Sequence, residues 1–321
     1  MKSLDRNFWE CKRVFVTGGT GFVGSHLVSK LTSLGADVKL FVHFAIPADA
    51  GLSGFWGDLT IAPAHLFHYL TRFQPDIVIH LAAQPIVGVA MEKEWDTAEI
   101  NIRGTYNLLH VCKDIPSIKS ILHVSTDKVF GKIEHIKDTS PLLGFSHPYN
   151  ATKLCGDIMA QMYAEAYDMP ITVVRNGNVY GAGDLHWDRL IPGTIQQFWN
   201  KERPVCRGGS RDYIHVTDIV HGYLHLVEER YGKKGLETIN LGAERSTKTE
   251  DIIEKIATFM EVECTEIIKS PMWKGELVNQ HIDNTKAKEL IGWCPDVPLD
   301  NGLRQTVKWY QDYLDVADEH E

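Results

Sequence analysis

Residues 17–24 read TGGTGFVG, and this short run decides the fold class of the chain. The apolar segment RVFVTG leads into it, and the amphipathic segment SHLVSKLTSLG follows it. Gly18, Gly21 and Gly24 stand three residues apart. That spacing suits a tight turn between a strand and a helix, with a pyrophosphate held close to the backbone at the helix N-terminus. The run therefore predicts a dinucleotide-binding loop.

Apolar runs alternate with amphipathic stretches through the first half of the chain. Strands are predicted at 13–18, 37–43, 76–83, 120–126 and 171–178, and helices at 25–35, 62–73, 98–114 and 149–167. Strands and helices in this alternation form a parallel sheet with helices on both faces. The predicted fold class is therefore α/β, a Rossmann-type doubly wound parallel sheet.

Prolines and glycines break the second half of the chain into shorter elements, which predict a smaller, mixed α/β substrate domain. We place the boundary near 175–180, which gives domains at 1–177 and 178–321. One apolar run, ETINLG at 237–242, predicts a strand that returns to the first sheet, so the two domains would interleave.

Composition narrows the classes of partner. The chain has 321 residues and a net charge of −9, and this acidic balance argues against a nucleic acid partner. No apolar run approaches about 18 residues, and the N-terminal segment is rich in charge, so we expect neither a membrane span nor a secretory signal. The six cysteines show no metal-binding spacing. We expect a cytoplasmic protein with reduced thiols and no metal site.

Two polar stretches stand out against this background. HPYNATK at 147–153 places Tyr149 and Lys153 four residues apart, on one face of a predicted helix. VSTDKVFG at 124–131 ends a predicted strand with hydroxyl, carboxylate and amine groups in succession. Taken alone, these stretches would be a surface helix pair and a solvated turn. Together with the glycine loop, they indicate a catalytic group beside a nicotinamide ring.

These motifs, with HLAAQ at 80–84 and the pattern of Asn101, Gly104 and Thr105, resemble the extended short-chain dehydrogenase/reductase family. Within that family the chain is similar to the NAD-dependent nucleotide-sugar epimerases and dehydratases, over nearly its whole length. The resemblance implies NAD as cofactor, a nucleotide-diphosphate sugar as substrate, and a homodimer. It makes the first domain the NAD-binding one and the second the nucleotide-sugar-binding one.

The same resemblance implies which residues contact the cofactor. They are Gly18, Thr20, Gly21, Phe22, Val23, Gly24, His43, Asp58, Leu59, Leu81, Ala82, Ala83, Asn101, Tyr149 and Lys153. The second strand ends Val42-His43-Phe44, without the acid that binds the ribose of NAD or an arginine that would hold a 2′-phosphate, so NADP stays open. Asp58 either reaches the adenine edge or caps the next helix.

Three further stretches resemble the CDP-glucose 4,6-dehydratases within this family. They are NFWECKRVFVTGGTGF at 7–22, AAQPIV at 82–87 and GNVYGAGDLHWDRLIP at 177–192. This resemblance makes CDP-glucose the favoured substrate. The substrate contacts that it implies come from Gln84, Asn178, Arg189, Leu190, Ile191 and Arg211.

Arginine carries most of the expected phosphate recognition. Arg211 would clamp the diphosphate, because a guanidinium fork matches phosphate oxygens. Related enzymes often carry a second arginine where Val278 and Asn279 stand here, with Lys274 nearby. This departure leaves the nucleotide base open.

By the same resemblance, Thr126, Tyr149 and Lys153 support oxidation of the sugar at C4. A phenolate at Tyr149 requires a pKa below its usual value of about 10, and a nearby ammonium and an oxidised nicotinamide would both favour it. A 4-epimerase needs little more. A 4,6-dehydratase also needs a base for the C5 proton and an acid for the departing C6 hydroxyl.

The resemblance assigns these two further roles to Lys128 as base and Asp127 as acid. A lysine base must be neutral, against a usual pKa of about 10.4, and burial, Lys153 and the nicotinamide would each lower that pKa. The pair favours a nucleotide-sugar 4,6-dehydratase that converts CDP-glucose to CDP-4-keto-6-deoxyglucose. A nucleotide-sugar 4-epimerase is the alternative, and a non-catalytic dinucleotide-sensing module is a remote one.

Overall fold

The structure, a computed structural model, describes residues 3–43, 53–61, 63–271 and 279–318. Its strands in chain order are β1 (Arg13–Thr17), β2 (Asp37–Val42), β3 (Ser53–Trp56), β4 (Ile77–His80), β5 (Ser120–Thr126), β6 (His135–Ile136), β7 (Ile171–Asn176), β8 (Asn178–Tyr180), β9 (Val205–Cys206), β10 (Ser210–His215), β11 (Leu236–Leu241), β12 (Ser246–Lys248), β13 (Ile268–Lys269) and β14 (His281–Ile282).

Helices fill most of the intervals between these strands. They are α1 (Arg6–Trp9), α2 (Phe22–Ser33), α3 (Ala64–Phe73), α4 (Val87–Glu92), α5 (Glu94–Ala98), α6 (Thr105–Cys112), α7 (Pro148–Tyr167), α8 (Leu190–Trp199), α9 (Val216–Arg230), α10 (Thr249–Met260), α11 (Thr285–Ile291) and α12 (Leu299–Asp318). A π-helical turn spans Glu99–Gly104, and a 3-10 helix spans Asp127–Phe130.

A parallel sheet of seven strands, counted over the described residues, forms the centre of the molecule in the order β3-β2-β1-β4-β5-β7-β11. Val14 and Val16 of β1 pack with Leu27 of α2 on one face. Phe15 packs with Leu66 of α3 on the other face. Because β1 is apolar on both sides and helices cover both faces, the predicted Rossmann-type fold is confirmed.

The order of strands reverses between β1 and β4. On one side the sheet continues through β2 and β3, and on the other through β5, β7 and β11. The carboxyl ends of β1 and β4 therefore open a crevice, which is where ligands bind in doubly wound sheets. The glycine loop follows β1 into this crevice, and residues 81–84 follow β4.

Strand β11 lies parallel to β7, with Leu236 opposite Ile171 and Leu241 opposite Asn176. The chain leaves this sheet after β7, builds β8, β10 and α9, and then returns to form the edge strand. Helices α8, α10 and α12 form a further core beside the small sheet β12-β10-β8. The domain boundary near 175–180 stays a prediction.

Several predicted elements differ in detail. The predicted strand at 171–178 is divided at Gly177, where an added Cβ would lie 2.9 Å from the Asp212 carbonyl oxygen. The predicted helix at 98–114 opens with the π-helical turn. Strand β2 ends at Val42, and Phe44 lies outside the described residues. The cysteines are all free, and no helix in the described ranges is long and apolar enough to cross a bilayer.

Candidate active site

The glycine loop is a close-packed turn between β1 and α2. Gly18 has a φ of +72°, and a Cβ there would lie 2.6 Å from the Ala82 backbone nitrogen. A Cβ on Gly24 would overlap the Gly18 carbonyl oxygen. Gly21 is exposed, and the atom nearest to its missing Cβ is the Gly18 oxygen at 3.4 Å. Because the first amides of a helix lack partners within it, the open space at Gly21 fits a bound pyrophosphate.

This geometry predicts different effects for two alanine substitutions. Gly24→Ala should prevent folding or lower Tm sharply, because the methyl group has no space. Gly21→Ala should leave Tm within a few degrees but weaken NAD binding about tenfold or more, since its methyl would occupy the space a pyrophosphate needs. Thermal unfolding and calorimetric titration with NAD measure the two effects. Equal losses of Tm in both variants would contradict the assignment.

A buried chain of hydrogen bonds supports the floor of the crevice. His80 Nδ1 lies 2.7 Å from Thr17 Oγ1, and its Nε2 lies 2.9 Å from Thr105 Oγ1. Thr105 Oγ1 donates to the Asn101 carbonyl, so it accepts from His80 Nε2. Thr17 then donates to Nδ1 and accepts from the Ala82 amide at 3.3 Å. This series of hydrogen bonds needs a neutral imidazole at His80, and burial lowers the pKa of His80 well below its usual value.

Asn101 and Gln84 lock the loop that follows β4. Asn101 Oδ1 accepts from the Gln84 amide at 2.8 Å, and its Nδ2 donates to Thr152 Oγ1 at 3.0 Å. The Gln84 side chain accepts from the Ile86 amide at 2.6 Å and donates to Thr97 Oγ1 at 3.1 Å. These hydrogen bonds fix the conformation of the loop. The cofactor contact of Asn101 and the substrate contact of Gln84 stay predictions.

The residues expected on the adenine side lie after β2 and β3. His43 Nδ1 is 3.6 Å from Asp58 Oδ2, and Asp58 Oδ1 accepts from the Thr60 amide at 2.7 Å. The Leu59 carbonyl accepts from Asn107 Nδ2 at 2.7 Å. Asp58 therefore caps its own turn. The remaining cofactor candidates border the crevice from the glycine loop, from the start of α2 and from the loop after β4: Thr20, Phe22, Val23, Leu81, Ala82 and Ala83.

Tyr149 and Lys153 lie on the first turns of α7, beside the end of β5. His147 caps this helix by accepting from the Tyr149 amide at 3.1 Å, and Pro148 occupies its first turn. Buried Lys153 donates from Nζ to the Val124 carbonyl at 2.7 Å. An ammonium has three donors, so others remain for a ribose. Burial lowers the pKa of Lys153 to about 8.

Burial acts in the opposite direction on the phenol of Tyr149, whose pKa it raises to about 12. A hydrogen bond with the Thr126 side chain lowers that pKa, as does the charge of Arg189, whereas the charge of Asp127 raises it. Lys153, expected to favour the phenolate, is not among the groups that shift this pKa. The protein groups together leave Tyr149 protonated at neutral pH.

The stretch VSTDKVFG carries the most compact polar cluster of the site. Thr126 caps the 3-10 helix by accepting from the Lys128 amide at 3.4 Å, and its hydroxyl donates to Asp127 Oδ1 at 2.9 Å. Lys128 Nζ lies 2.9 and 2.8 Å from the two carboxylate oxygens of Asp127. The side chains of Lys128 and Asp127 are only 15% and 2% exposed, so they do not form a solvated turn.

Burial is the largest cause acting on Lys128, and it lowers the pKa of this side chain. Asp127 opposes the shift through its charge and its hydrogen bond, and the charge of Asp212 opposes it further. Arg211 adds to the lowering. The cation that assists burial is thus Arg211, where the sequence suggested Lys153.

A buried ion pair between Arg175 and Asp157 anchors the stretch VSTDKVFG to the neighbouring elements. Ser125 Oγ donates to Asp157 Oδ2 at 2.7 Å. Arg175 binds both oxygens of Asp157, each at 2.9 Å, and its guanidinium stacks over the Phe130 ring at 5.2 Å. Because these contacts join β5, α7 and β7, they fix the position of the catalytic candidates relative to one another.

Three of the expected substrate residues surround this cluster. Asn178 opens β8, and its Oδ1 is 3.5 Å from Lys128 Nζ. Arg189 pairs with Asp184 at 2.8 Å, and its charge reaches Tyr149. Arg211 lies on β10, and its charge reaches Lys128.

Their neighbours in sequence are placed differently. Leu190 and Ile191 form the first turn of α8, where Ile191 is buried in the core of the second half. The geometry therefore brings Asn178, Arg189 and Arg211 to the catalytic side. Contact of all five with a substrate stays a prediction.

Sequence reasoning missed two buried polar residues in this cluster. Asp212 accepts from the amides of Ala243 at 2.5 Å and Ile282 at 3.3 Å, and burial raises its pKa to about 7. Gln280 Oε1 accepts from Lys128 Nζ at 2.9 Å. Asp212 directly follows the predicted phosphate ligand Arg211 in RDYIHVTD at 211–218, and this position was a signal for it. Nothing in KGELVNQHID at 274–283 singles out Gln280.

Of the residues considered for the second phosphate contact, Lys274 and Val278 lie outside the described residues. Within the ranges that the structure covers, no three His, Cys, Asp or Glu side chains converge as a metal site.

Comparison with known proteins assigns this geometry to a family. The NAD dependent epimerase/dehydratase family model matches residues 14–242. The CDP-glucose 4,6-dehydratase of Salmonella typhimurium is 30% identical, over 97% of this chain and 94% of its own length.

Two solved structures have the same fold over most of both chains. The dTDP-glucose 4,6-dehydratase of Streptomyces venezuelae, solved with NAD, has a TM-score of 0.84 and 26% identity, and the match covers 94% of this chain and 97% of that one. The UDP-glucose 4-epimerase of Thermotoga maritima, solved with UDP-glucose, has a TM-score of 0.85 and 25% identity, over 94% and 99%. This chain belongs to the NAD dependent epimerase/dehydratase family, within the extended short-chain dehydrogenases/reductases.

Proposed function

We propose that this chain is a nucleotide-sugar 4,6-dehydratase that converts CDP-glucose to CDP-4-keto-6-deoxyglucose. The observation that carries the proposal is the buried contact between Lys128 Nζ and Asp127 Oδ2 at 2.8 Å, joined to Tyr149 through Thr126. A base and an acid for C5 and C6 thus stand beside the groups that oxidise C4. The Salmonella relative, a CDP-glucose 4,6-dehydratase, supports the choice of nucleotide.

The crevice fits NAD as the cofactor. Gly21 leaves room for a pyrophosphate at the start of α2, and Lys153 offers donors for the nicotinamide ribose. When bound, NAD would supply a reversible hydride acceptor for oxidation at C4 and reduction at C6, and a positive charge that favours the Tyr149 phenolate. In this proposal the cofactor contacts the loop after β4, whose conformation is fixed by hydrogen bonds of His80 and Asn101.

Oxidation at C4 requires removal of the O4 proton, and we assign this step to Tyr149. Thr126 hydrogen-bonds the phenol, so its hydroxyl can bind the same sugar oxygen. A pKa of about 12 means that the phenolate needs additional positive charge nearby. Arg189 is a protein group that already acts in this direction.

Elimination requires Asp127 protonated and Lys128 neutral, the reverse of their ion pair. Passing one proton from Nζ to Oδ2 across 2.8 Å gives both states without changing the net charge. Burial favours the loss of this proton from Lys128, because it lowers the pKa of the ammonium. Lys128 then takes the C5 proton while Asp127 protonates O6, and the C6–O bond breaks to release water.

The proton balance then closes within the cluster. Lys128 returns its proton to C5 when C6 is reduced. Tyr149 keeps the proton taken from O4, and Asp127 lacks the proton that left with water. Thr126 contacts both side chains, so its hydroxyl is the group through which the proton can pass from Tyr149 to Asp127.

We also propose the homodimer expected from the family, formed through the helices at 98–114 and 149–167. Tyr106 on α6 and Ile158 and Tyr167 on α7 are 43%, 45% and 51% exposed. Large apolar side chains on adjacent helices support a packing surface there. Size measurement in solution tests this assignment.

Mass spectrometry of the products tests the dehydratase. CDP-, UDP-, GDP- and dTDP-glucose are each incubated with the protein and NAD in heavy water. We expect CDP-glucose to give a product lighter by one water, with a 4-keto group that absorbs in alkali and deuterium at C5. A product that retains O6 and lacks the keto group would overturn the proposal.

A nucleotide-sugar 4-epimerase is the second candidate, and the likeness to the Thermotoga maritima epimerase favours it. It predicts an isomer of unchanged mass without deuterium at C5. The same experiment therefore separates the two activities, and a module that only binds NAD would give neither product.

A further inference from the structure

Gln280 is a fully buried residue whose amide is half satisfied. It is 1% exposed, and its Oε1 accepts from Lys128 Nζ at 2.9 Å. Its Nε2 is buried, and no residue that the structure describes forms a hydrogen bond with it. A buried donor without a partner costs stability, so a hydrocarbon of similar size would suit this position better for folding alone. The contact with Lys128 is the feature that a hydrocarbon would lack.

The backbone around Gln280 is held firmly. His281 and Ile282 form β14, which pairs with His135 and Ile136 of β6. The Ile282 amide also donates to Asp212. Because these bonds anchor the chain directly after Gln280, its side chain is held against Lys128 across 152 positions of sequence.

The groups facing Lys128 differ in charge. Asp127 binds Nζ as a carboxylate, and Asn178 Oδ1 lies at the longer distance of 3.5 Å. The charges of Asp212 and Arg211, both on β10, act on Nζ in opposite directions. Gln280 adds a neutral acceptor. An amide oxygen binds an ammonium more strongly than a neutral amine, so it favours the protonated form without adding a charge.

We propose that Gln280 is a positioning residue that aims Lys128 Nζ and sets how readily it releases its proton for removal of the C5 hydrogen. This inference rests on the proposed dehydratase function. Gln280 keeps the ammonium bound between turnovers, but it lacks the full negative charge that would prevent Lys128 from becoming neutral.

Two substitutions should change the proton affinity of Lys128 in opposite directions. Gln280→Met keeps the length and removes the acceptor, so the pKa of Lys128 should fall by about one unit. Gln280→Glu adds a carboxylate, so that pKa should rise by about one unit. The alkaline limb of kcat against pH should move in the same direction as this pKa. The rate of solvent deuterium incorporation at C5 at neutral pH should instead rise in Gln280→Met and fall in Gln280→Glu, because only neutral Lys128 removes the C5 proton. At neutral pH, Gln280→Glu should lower kcat about tenfold.

The pKa of Lys128 is also read without turnover, by competitive labelling of the folded protein with acetic anhydride and peptide mass spectrometry. Gln280→Asn, which withdraws the acceptor, replaces the Met variant if that variant does not fold. Gln305→Glu on the exposed face of α12 is the matched control and should shift nothing.

The inference is supported if the pKa of Lys128, measured by labelling, falls in Gln280→Met and rises in Gln280→Glu. An unshifted pKa in folded variants, with or without a loss of kcat, overturns it and leaves Gln280 structural. Failure of the proposed function looks different, because the wild-type protein would then give no 4-keto-6-deoxy product while the labelling pKa still moved.

Discussion

Tyr149→Phe is expected to lower kcat about 10²–10⁴-fold, the range that a positioned acid–base group supplies. In the proposed mechanism the Tyr149 phenolate takes the O4 proton in the first step, and every later step needs the ketone that this step forms. Phe keeps the ring and removes only the hydroxyl, so Tm and NAD affinity should stay close to wild type. The keto product is measured by its absorbance in alkali, and NAD affinity by calorimetry.

Tyr313→Phe is the matched control, because Tyr313 lies on α12 and is 39% exposed. It should retain full activity. Turnover within about tenfold of wild type in the Tyr149→Phe variant would show that another group takes the O4 proton.

Asp127→Asn is expected to lower formation of the dehydrated product by a similar factor, about 10²–10⁴-fold, but to leave C4 oxidation in place. An amide fills the space of the carboxylate and cannot protonate O6. The 4-keto sugar should therefore accumulate with its C6 oxygen still attached. Quenching with borodeuteride and mass spectrometry detects this species as a hexose that carries deuterium at C4.

Lys128→Met should give the same trapped hexose, because no base then removes the C5 proton. Lys132→Met, an exposed lysine in the same segment, is the matched control and should turn over normally. If Asp127→Asn folds but yields no trapped ketone, Asp127 acts at C4 and the separation of roles is wrong.

Local physics explains what the sequence could predict. Apolar periodicity predicts the strands and helices. The glycine spacing predicts the turn, because Gly18 and Gly24 have no room for a Cβ and Gly21 borders the open space at the start of α2. Tyr149 and Lys153 share a face through the helical repeat alone. These features depend on neighbours within a few positions, so the fold could be predicted from the sequence.

The features that the sequence could not predict depend on residues that only the tertiary fold brings together. The lowered pKa of Lys128 depends on burial, which its own segment does not determine. The contact of Gln280 with Lys128 joins residues 152 positions apart. The π-helical turn that carries Asn101 has no pattern of its own, because a π-helix differs from an α-helix by one residue within a similar apolar face.

The late return of β11 to the sheet has a consequence for synthesis on the ribosome. The chain emerges N-terminus first, so β7 forms well before Leu236–Leu241 become available to cover it. During that interval one edge of β7, an apolar strand, presents unpaired backbone N–H and C=O groups to other nascent chains. Expression should therefore be most prone to aggregation in fragments that stop between β7 and β11, and recover once the chain extends past Leu241.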